Sequence, residues 1–200
     1  MNITEYEKIK NLNYLEYCDY LHNKYGAPEK PYFSTGWSKN SRIKRTSEGL
    51  IMHHKFEDHA TMLSTPQLAQ VHPYEWQLPE NIVYCDYLEH LLLHVLICEI
   101  PPENKNFDDA LGVGGVINFI VPELNDFYSG WETNQAWRKN CLDLVKNDKD
   151  VYFEIIKRFK NNCSNNYYYN ENCLFKSFNE QFGLWSKEKN IKIFEEISKL

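Results

Sequence analysis

The local fold is set by the stretch NIVYCDYLEHLLLH, which occupies residues 81–94. Its first part, Asn81–Cys85, is short, apolar and β-branched, which is typical of a buried strand. Asp86 then supplies an N-cap, and the apolar residues that follow recur at helical spacing, so a helix is predicted over Asp86–Ile100. Pro101 and the proline after it end that helix, because proline cannot continue one. The stretch therefore predicts a strand joined directly to a helix.

A second strand is predicted upstream, over Gly49–Lys55, where side chains alternate and the pair His53-His54 comes near the end of the run. The connection from Phe56 to Pro79 contains three prolines and is predicted to be an insertion with one short helix near Thr65–Val71. The order strand, connection, strand, helix is a ββα arrangement.

Histidines are concentrated in this region, with six of the seven between positions 53 and 94. His90 and His94 are four residues apart, so on a helix they share a face with their Cβ atoms roughly 5–6 Å apart. Two imidazoles at that spacing can bind one metal ion, and His53-His54 on a strand can bring further nitrogen ligands to it. The alternative is that His90 and His94 are ordinary buried histidines of an apolar helix.

The combination of His53-His54, Asn81, His90 and His94 resembles the HNH nuclease motif, a ββα-metal element. Asn81 precedes His90 by nine residues and His90 precedes His94 by four, as in the colicin-type and phage members. The step of 27 residues from His54 to Asn81 is longer than the family's usual one, and we attribute the excess to the insertion. The resemblance covers the ββα stretch alone.

The resemblance implies a role for each of these residues. His54 would be the general base that activates water, and Asn81 would tie the connection to the strand and so hold His54 in place. His53 and His90 would bind a metal ion, and His94 would be a third ligand or a contact to the leaving group. One divalent ion is implied, with Mg²⁺ preferred and Mn²⁺, Ni²⁺ or Zn²⁺ as alternatives.

The formal net charge of −6 argues against a protein that coats nucleic acid over its whole surface. A local basic cluster nevertheless lies close to the histidine pair in the sequence, with four residues before the pair and one directly after it. We interpret it as a DNA-binding arm whose side chains contact phosphates without reading sequence. Its residues are Lys39, Arg42, Lys44, Arg45 and Lys55. The alternative is a solvated surface loop.

These observations predict a metal-dependent HNH endonuclease that hydrolyses DNA phosphodiester bonds, in the restriction or mobile-element setting that the resemblance suggests. The alternative is a non-catalytic module, stapled by a metal, that binds nucleic acid or another protein. His54 distinguishes the nuclease from the non-catalytic module, because a purely structural metal site does not need an adjacent histidine that acts as a base. A third hypothesis, a secreted antibacterial nuclease toxin, is disfavoured because we find no strongly basic domain and no export segment.

The predicted fold class is α+β, with a ββα-metal HNH core embedded in a mainly helical protein. We divide the chain into an N-terminal helix and basic arm (1–48), the core (49–100) and a helical region (101–200), with a boundary near Pro101–Lys105 across which the halves can share a core. Helices are predicted at Ile3–Tyr25, Phe107–Tyr128, Asn134–Lys146, Asp150–Lys160 and Lys187–Leu200, and a loop at Asn161–Asn172.

The remaining features point to a cytoplasmic protein that acts on DNA and not at a membrane, with a homodimer left open. No apolar run is long enough to span a bilayer, and the six cysteines form no C-x-x-C pair, so reduced thiols are expected. Gly112–Gly115 lacks the ending of a phosphate loop and is predicted to permit close helix packing. His59 and His72, in the insertion, are predicted to be surface residues.

Overall fold

The computed structural model describes residues 1–101 and 110–200. In these ranges the chain is mainly helical and carries a two-stranded antiparallel sheet, which agrees with the predicted α+β class. Except for Pro101, the predicted boundary near Pro101–Lys105 lies outside the described residues, as does the start of the helix predicted from Phe107. None of the described helices is long and apolar enough to cross a membrane.

The N-terminal region forms two helices, α1 (Ile3–Ile9) and α2 (Tyr14–Tyr25), so the prediction of one continuous helix is wrong. Asn2 caps α1 through its side chain, which accepts from the Glu5 amide. Asn13 caps α2 and forms a capping box with the glutamate three residues later. This start signal interrupts an apolar spacing that by itself favoured a single helix.

Both predicted strands are present, and they pair as a hairpin. β1 (Ile51–His54) and β2 (Ile82–Cys85) pair antiparallel, with His54 opposite Ile82. Because successive side chains on a strand point to opposite faces, His53 lies on one face of the hairpin and His54 on the other. The connection between the strands contains the short helix α3 (Pro66–Ala69), within the range predicted for it.

Helix α4 (Tyr87–Glu99) begins directly after β2, within one residue of its predicted bounds. Its N-cap Asp86 accepts a hydrogen bond from the Glu89 amide at 2.8 Å, and the Glu89 carboxylate accepts one from the Asp86 amide at 2.7 Å. The helix is apolar on most sides, which is typical of a helix at the centre of a core. Its buried apolar side chains are Tyr87, Leu88, Leu91, Leu92, Leu93, Val95, Leu96 and Ile97.

The second half is helical, as predicted, with modest shifts in the helix ends. The first helix, α5 (Val113–Gly115), runs through a π-helical segment (Val116–Ile120) into α6 (Val121–Tyr128). The later helices are α7 (Ala136–Val145), α8 (Lys149–Cys163) and α9 (Ile191–Ser198). Helix α8 extends into the predicted Asn161–Asn172 loop, so its first three residues are helical.

Two hydrophobic clusters enclose the hairpin. The larger one joins side chains of α1, α2, β2, α4 and α8, so both halves of the chain share a core. The smaller one covers the hairpin face that carries His54, and it consists of Tyr32, Phe33, Ile43, Ala69 and Ile82. The segment before β1 is therefore packed onto the sheet through buried aromatic and aliphatic residues and is not a free surface loop.

Candidate metal centre

Three histidines from two elements meet beside the hairpin. His53 lies on β1, and His90 and His94 lie one turn apart on α4. The ring centroid of His53 is 5.3 Å from that of His90 and 5.1 Å from that of His94. The two helix histidines are 4.7 Å apart by the same measure. The fold thus brings together the three residues predicted as metal ligands.

A fourth residue, Glu57, joins them, although it is not among the predicted ligands. It lies in a 3₁₀ turn, Lys55–Asp58, directly after β1. Its Oε2 is 3.5 Å from His53 Nδ1 and 3.4 Å from His94 Nε2. Ligand atoms of His53, Glu57, His90 and His94 all lie within 4.8 Å of one another, and we call these four residues the His/Glu cluster. The available signal was a glutamate three residues after the histidine pair.

The donor atoms of the cluster are suited to a cation. The Nε2 atoms of His90 and His94 are 3.1 Å apart, a separation that a single ion can bridge with metal–nitrogen bonds of about 2.0–2.1 Å. His53 Nδ1 is buried and has no hydrogen-bond partner among the described residues. A buried polar atom without a partner costs free energy, and a metal ion would supply the missing interaction.

Tyr14 of α2 sets the tautomer of His53. Its hydroxyl donates to the Lys55 carbonyl at 2.9 Å, so it accepts at 2.8 Å from His53 Nε2. The His53 proton is therefore on Nε2, and the lone pair on Nδ1 is directed at Glu57 and the rest of the cluster. A ligand histidine is commonly oriented in this way by a hydrogen bond to its other nitrogen.

The glycine stretch after α4 makes room for His94. A Cβ placed at Gly115 would lie 2.5 Å from His94 Nδ1, closer than any real contact allows. A Cβ at Gly112, where φ is +80°, would lie 2.6 Å from the His94 carbonyl oxygen. The prediction that these glycines permit close helix packing is confirmed, and the helix they approach is the one that carries two cluster histidines.

The pKa of each of the four cluster side chains lies below its ordinary value. Burial lowers the pKa of His53 to about 3, although Glu57 opposes the shift. Burial also lowers the pKa of His90 and of His94. Burial by itself raises the pKa of Glu57, but the neighbouring imidazoles outweigh it and hold this pKa well below its ordinary value. Neutral imidazoles and a carboxylate are the forms that bind cations.

His54, the predicted base, lies on the opposite hairpin face and outside the ligand set. Its Nε2 donates to Gln77 Oε1 at 3.1 Å, which leaves the lone pair on Nδ1. That Nδ1 is 3.7 Å from Glu57 Oε1 and has no hydrogen-bond partner among the described residues. The Tyr32 ring packs against the imidazole with centroids 4.5 Å apart, and His54 is 1% exposed.

Asn81 lies just before β2, and its side chain contacts the connection between the strands. Its Nδ2 donates to the Glu75 carbonyl at 2.8 Å. Glu75 belongs to the 3₁₀ turn Tyr74–Gln77, and Gln77 is the residue that holds His54. The geometry is that of a link between the connection and the strand, and the catalytic contribution of Asn81 stays a prediction.

Two residues of the basic arm are packed onto aromatic rings of the His54 face. The Lys39 ammonium lies 4.5 Å from the Tyr32 ring centroid. The Arg45 guanidinium lies 4.9 Å from that of Tyr84 and also forms an ion pair with Glu48 at 2.6 Å. Arg45 has a structural role in holding the arm, besides any contact it makes with a ligand.

The other three basic residues differ in their contacts and in their exposure. Lys55 forms an ion pair with Asp19 of α2 at 3.1 Å. Arg42 and Lys44 are exposed, on either side of the buried Ile43. These two are the arm residues best placed to reach an external phosphate.

The two histidines of the connection between the strands lie outside the cluster. His59 is exposed and its Nδ1 is 2.6 Å from Asp58 Oδ1, as expected for a surface residue. His72 is half-buried and stacks on Trp76 with centroids 4.8 Å apart, so its prediction as a surface residue holds only in part.

Comparisons with known proteins identify no relative. No protein-family model matches the chain, no curated protein matches it, and no solved structure matches its fold.

Proposed function

We propose that the chain is a metal-dependent endonuclease that hydrolyses phosphodiester bonds of DNA. The observation that carries the proposal is the pairing of the His/Glu cluster with His54. Three imidazoles and a carboxylate converge on one point, while the adjacent histidine stays outside the ligand set and keeps an uncommitted Nδ1 lone pair beside Glu57. A ligand set next to a separate base is what hydrolysis of a phosphodiester requires.

The His/Glu cluster would hold the metal ion. Three nitrogen donors and one carboxylate suit Zn²⁺ or another first-row transition ion, whereas Mg²⁺ prefers oxygen donors. We therefore propose a transition ion in place of the Mg²⁺ favoured on sequence grounds. When bound, the ion would act as a Lewis acid that stabilises charge on the phosphoryl and leaving oxygens.

His54 would take the proton of the attacking water. Gln77 holds its Nε2 proton, so Nδ1 is the accepting atom. Histidine is the side chain that most often serves as a general base. Since His54 is 1% exposed beneath Tyr32, the Tyr32 side chain has to move for water and substrate to reach Nδ1.

The burial of His54 also favours a second candidate function. A metal-stapled module that binds nucleic acid or protein without cleaving it needs no accessible base. In that case His54 is a buried residue on the face that the smaller hydrophobic cluster covers, held by Gln77 and Tyr32. The two candidates make opposite predictions for a cleavage assay.

The test is cleavage of supercoiled plasmid by the purified protein, with chelator and with Zn²⁺ or Mn²⁺ added back. For a nuclease, chelator abolishes cleavage, metal restores it, and His54→Ala lowers the rate by about 10²- to 10⁴-fold while metal binding persists. His53→Ala and His90→Ala should weaken metal binding strongly in a calorimetric titration. His72→Ala, a histidine stacked away from the cluster, is the matched control and should keep full activity.

Two outcomes would contradict the nuclease proposal. Cleavage that survives His54→Ala, or that is indifferent to chelator, excludes the assigned roles. If no nucleic acid is cleaved under any metal condition, while metal raises the melting temperature of the protein, the stapled module is the correct interpretation.

The DNA-binding assignment of the arm is tested separately with Arg42→Ala/Lys44→Ala in the non-cleaving His54→Ala protein. The logarithm of the binding constant falls linearly with the logarithm of the salt concentration, and each lost phosphate contact should reduce this slope by about 0.9. The reduction should be the same for duplexes of different sequence. Lys8→Ala/Lys192→Ala, which removes two exposed lysines from α1 and α9, is the charge-matched control. An unchanged slope in the arm variant would show that the arm does not contact phosphates.

A further inference from the structure

A cavity of about 380 Å³ opens on the His/Glu cluster. Glu57, His90 and His94 form part of its wall, and Met52 and Phe119 contribute apolar surface. Its volume lies within the roughly 300–1,000 Å³ that is usual for small-ligand pockets. The cavity can therefore hold a part of the substrate that lies next to the group on which the cluster acts.

The described part of the cavity wall carries no charged side chain outside the cluster. Among the described residues that line it there is no lysine or arginine, and Glu57 is the one carboxylate. A phosphate placed there would have no cationic side chain as a partner among these described residues. Thr61, Ser64 and Asn118 instead offer hydroxyl and amide groups, which can pair with the donors and acceptors on a nucleobase edge.

Phe119 provides an aromatic surface at the cavity. It is 50% exposed and belongs to the π-helical segment Val116–Ile120, a rare geometry that is frequent at functional sites. Met62, which also lines the cavity, has a φ of 60°, which is uncommon outside glycine. An exposed aromatic ring beside a neutral cavity is a stacking platform of the kind that binds single bases.

We propose that this cavity binds one nucleobase of the substrate, lifted out of the base stack and packed on Phe119, next to the phosphodiester at the His/Glu cluster. The inference rests on the proposed function and narrows its substrate to single-stranded or locally unpaired nucleic acid. A paired base cannot enter a cavity of this kind without leaving the duplex.

The first experiment measures base binding without cleavage. Deoxyribonucleosides, which carry no phosphate, are added to the Zn²⁺-loaded protein and followed by saturation-transfer NMR. Gly114→Leu should abolish transfer to the base protons, because the nearest atom to a Cβ at Gly114 is 4.0 Å away and the larger side chain fills the cavity without backbone strain. Phe119→Ala should weaken it, and Phe182→Ala, at a phenylalanine 60% exposed elsewhere, should leave it unchanged.

The second experiment measures cleavage of a single-stranded oligonucleotide, intact or with one abasic position beside the cut. Loss of a base stacked on an aromatic ring corresponds to about a 5- to 150-fold loss in kcat/KM. Wild-type protein should therefore cut the abasic strand more slowly by this factor. Phe119→Ala should cut the intact strand at the slower rate and barely distinguish the two strands.

The outcomes separate the two proposals. Nucleoside binding that Gly114→Leu abolishes, without cleavage of any strand, supports the cavity assignment and refutes the nuclease. Cleavage that is indifferent to the abasic position, with no nucleoside binding, supports the nuclease and overturns the cavity assignment. Nucleoside binding that persists in both Gly114→Leu and Phe119→Ala also overturns the cavity assignment.

Discussion

Replacement of Tyr14 by phenylalanine tests whether a residue outside the ββα element controls the metal centre. The Tyr14 hydroxyl accepts from His53 Nε2 at 2.8 Å and donates to the Lys55 carbonyl at 2.9 Å. Phenylalanine keeps the ring and removes these hydrogen bonds, together with the longer one from the hydroxyl to the His54 carbonyl at 3.4 Å. His53 can then rotate or move its proton to Nδ1, the atom that faces the cluster, where a proton would compete with a metal ion.

The size of the effect follows from these contacts. Loss of a hydrogen bond that orients a ligand histidine typically lowers metal affinity by 10- to 100-fold, or about 1.4–2.7 kcal/mol. The buried His53 N–H also loses its partner, which costs about 1–3 kcal/mol of folding stability. Tyr14→Phe should therefore weaken Zn²⁺ binding by about 10- to 100-fold while the protein remains folded.

The assay is competition for Zn²⁺ against a chelator of known affinity, with thermal unfolding of the metal-free protein in parallel. Tyr17→Phe is the matched control. Tyr17 is also a fully buried tyrosine of α2, but its hydroxyl lies 3.8 Å from the Met1 sulfur and makes no contact with the cluster. If Tyr14→Phe binds Zn²⁺ as tightly as Tyr17→Phe does, the tautomer argument is refuted.

Three further predictions follow from the same geometry. Because burial lowers the pKa of His53 to about 3, the unfolded chain takes up a proton below pH 6.5 that the folded protein does not. The free energy of unfolding of the metal-free protein should thus fall as pH decreases from 7 to 5, by up to about 1.4 kcal/mol per pH unit for each buried cluster histidine, and a flat urea-denaturation profile would exclude this. Burial raises the pKa of Cys18 to about 12, so iodoacetamide at pH 8 should modify Cys18 only after unfolding, as peptide mass spectrometry would show. Gly115→Ala should displace the His94 ring and weaken Zn²⁺ binding at least about tenfold, whereas Gly114→Ala should bind normally, because its Cβ would lie 4.0 Å from the nearest atom, an ordinary contact; equal affinities in calorimetry would contradict the packing argument.

The ββα element was predictable because its signals are local. An apolar β-branched run, an Asp-x-x-Glu capping box and leucines at helical spacing lie within one short stretch, and they place β2 and α4 within one residue of their observed bounds. The same spacing places His90 and His94 on one helix face without reference to the rest of the chain. Local signals failed where two of them competed, as at Asn13, where a capping box divides a continuous apolar pattern into α1 and α2.

The amino-acid sequence by itself thus determined the hairpin, the helix and three of the four cluster residues. Only the tertiary structure decided that Glu57 completes the cluster, that Tyr14 orients His53, and that Tyr32 covers His54. The contacts of Tyr14 and Tyr32 join residues 39 and 22 positions apart, and that of Glu57 depends on the turn after β1. Such contacts depend on how α2 and the arm pack against the hairpin, and no periodicity or capping signal within one element specifies that packing.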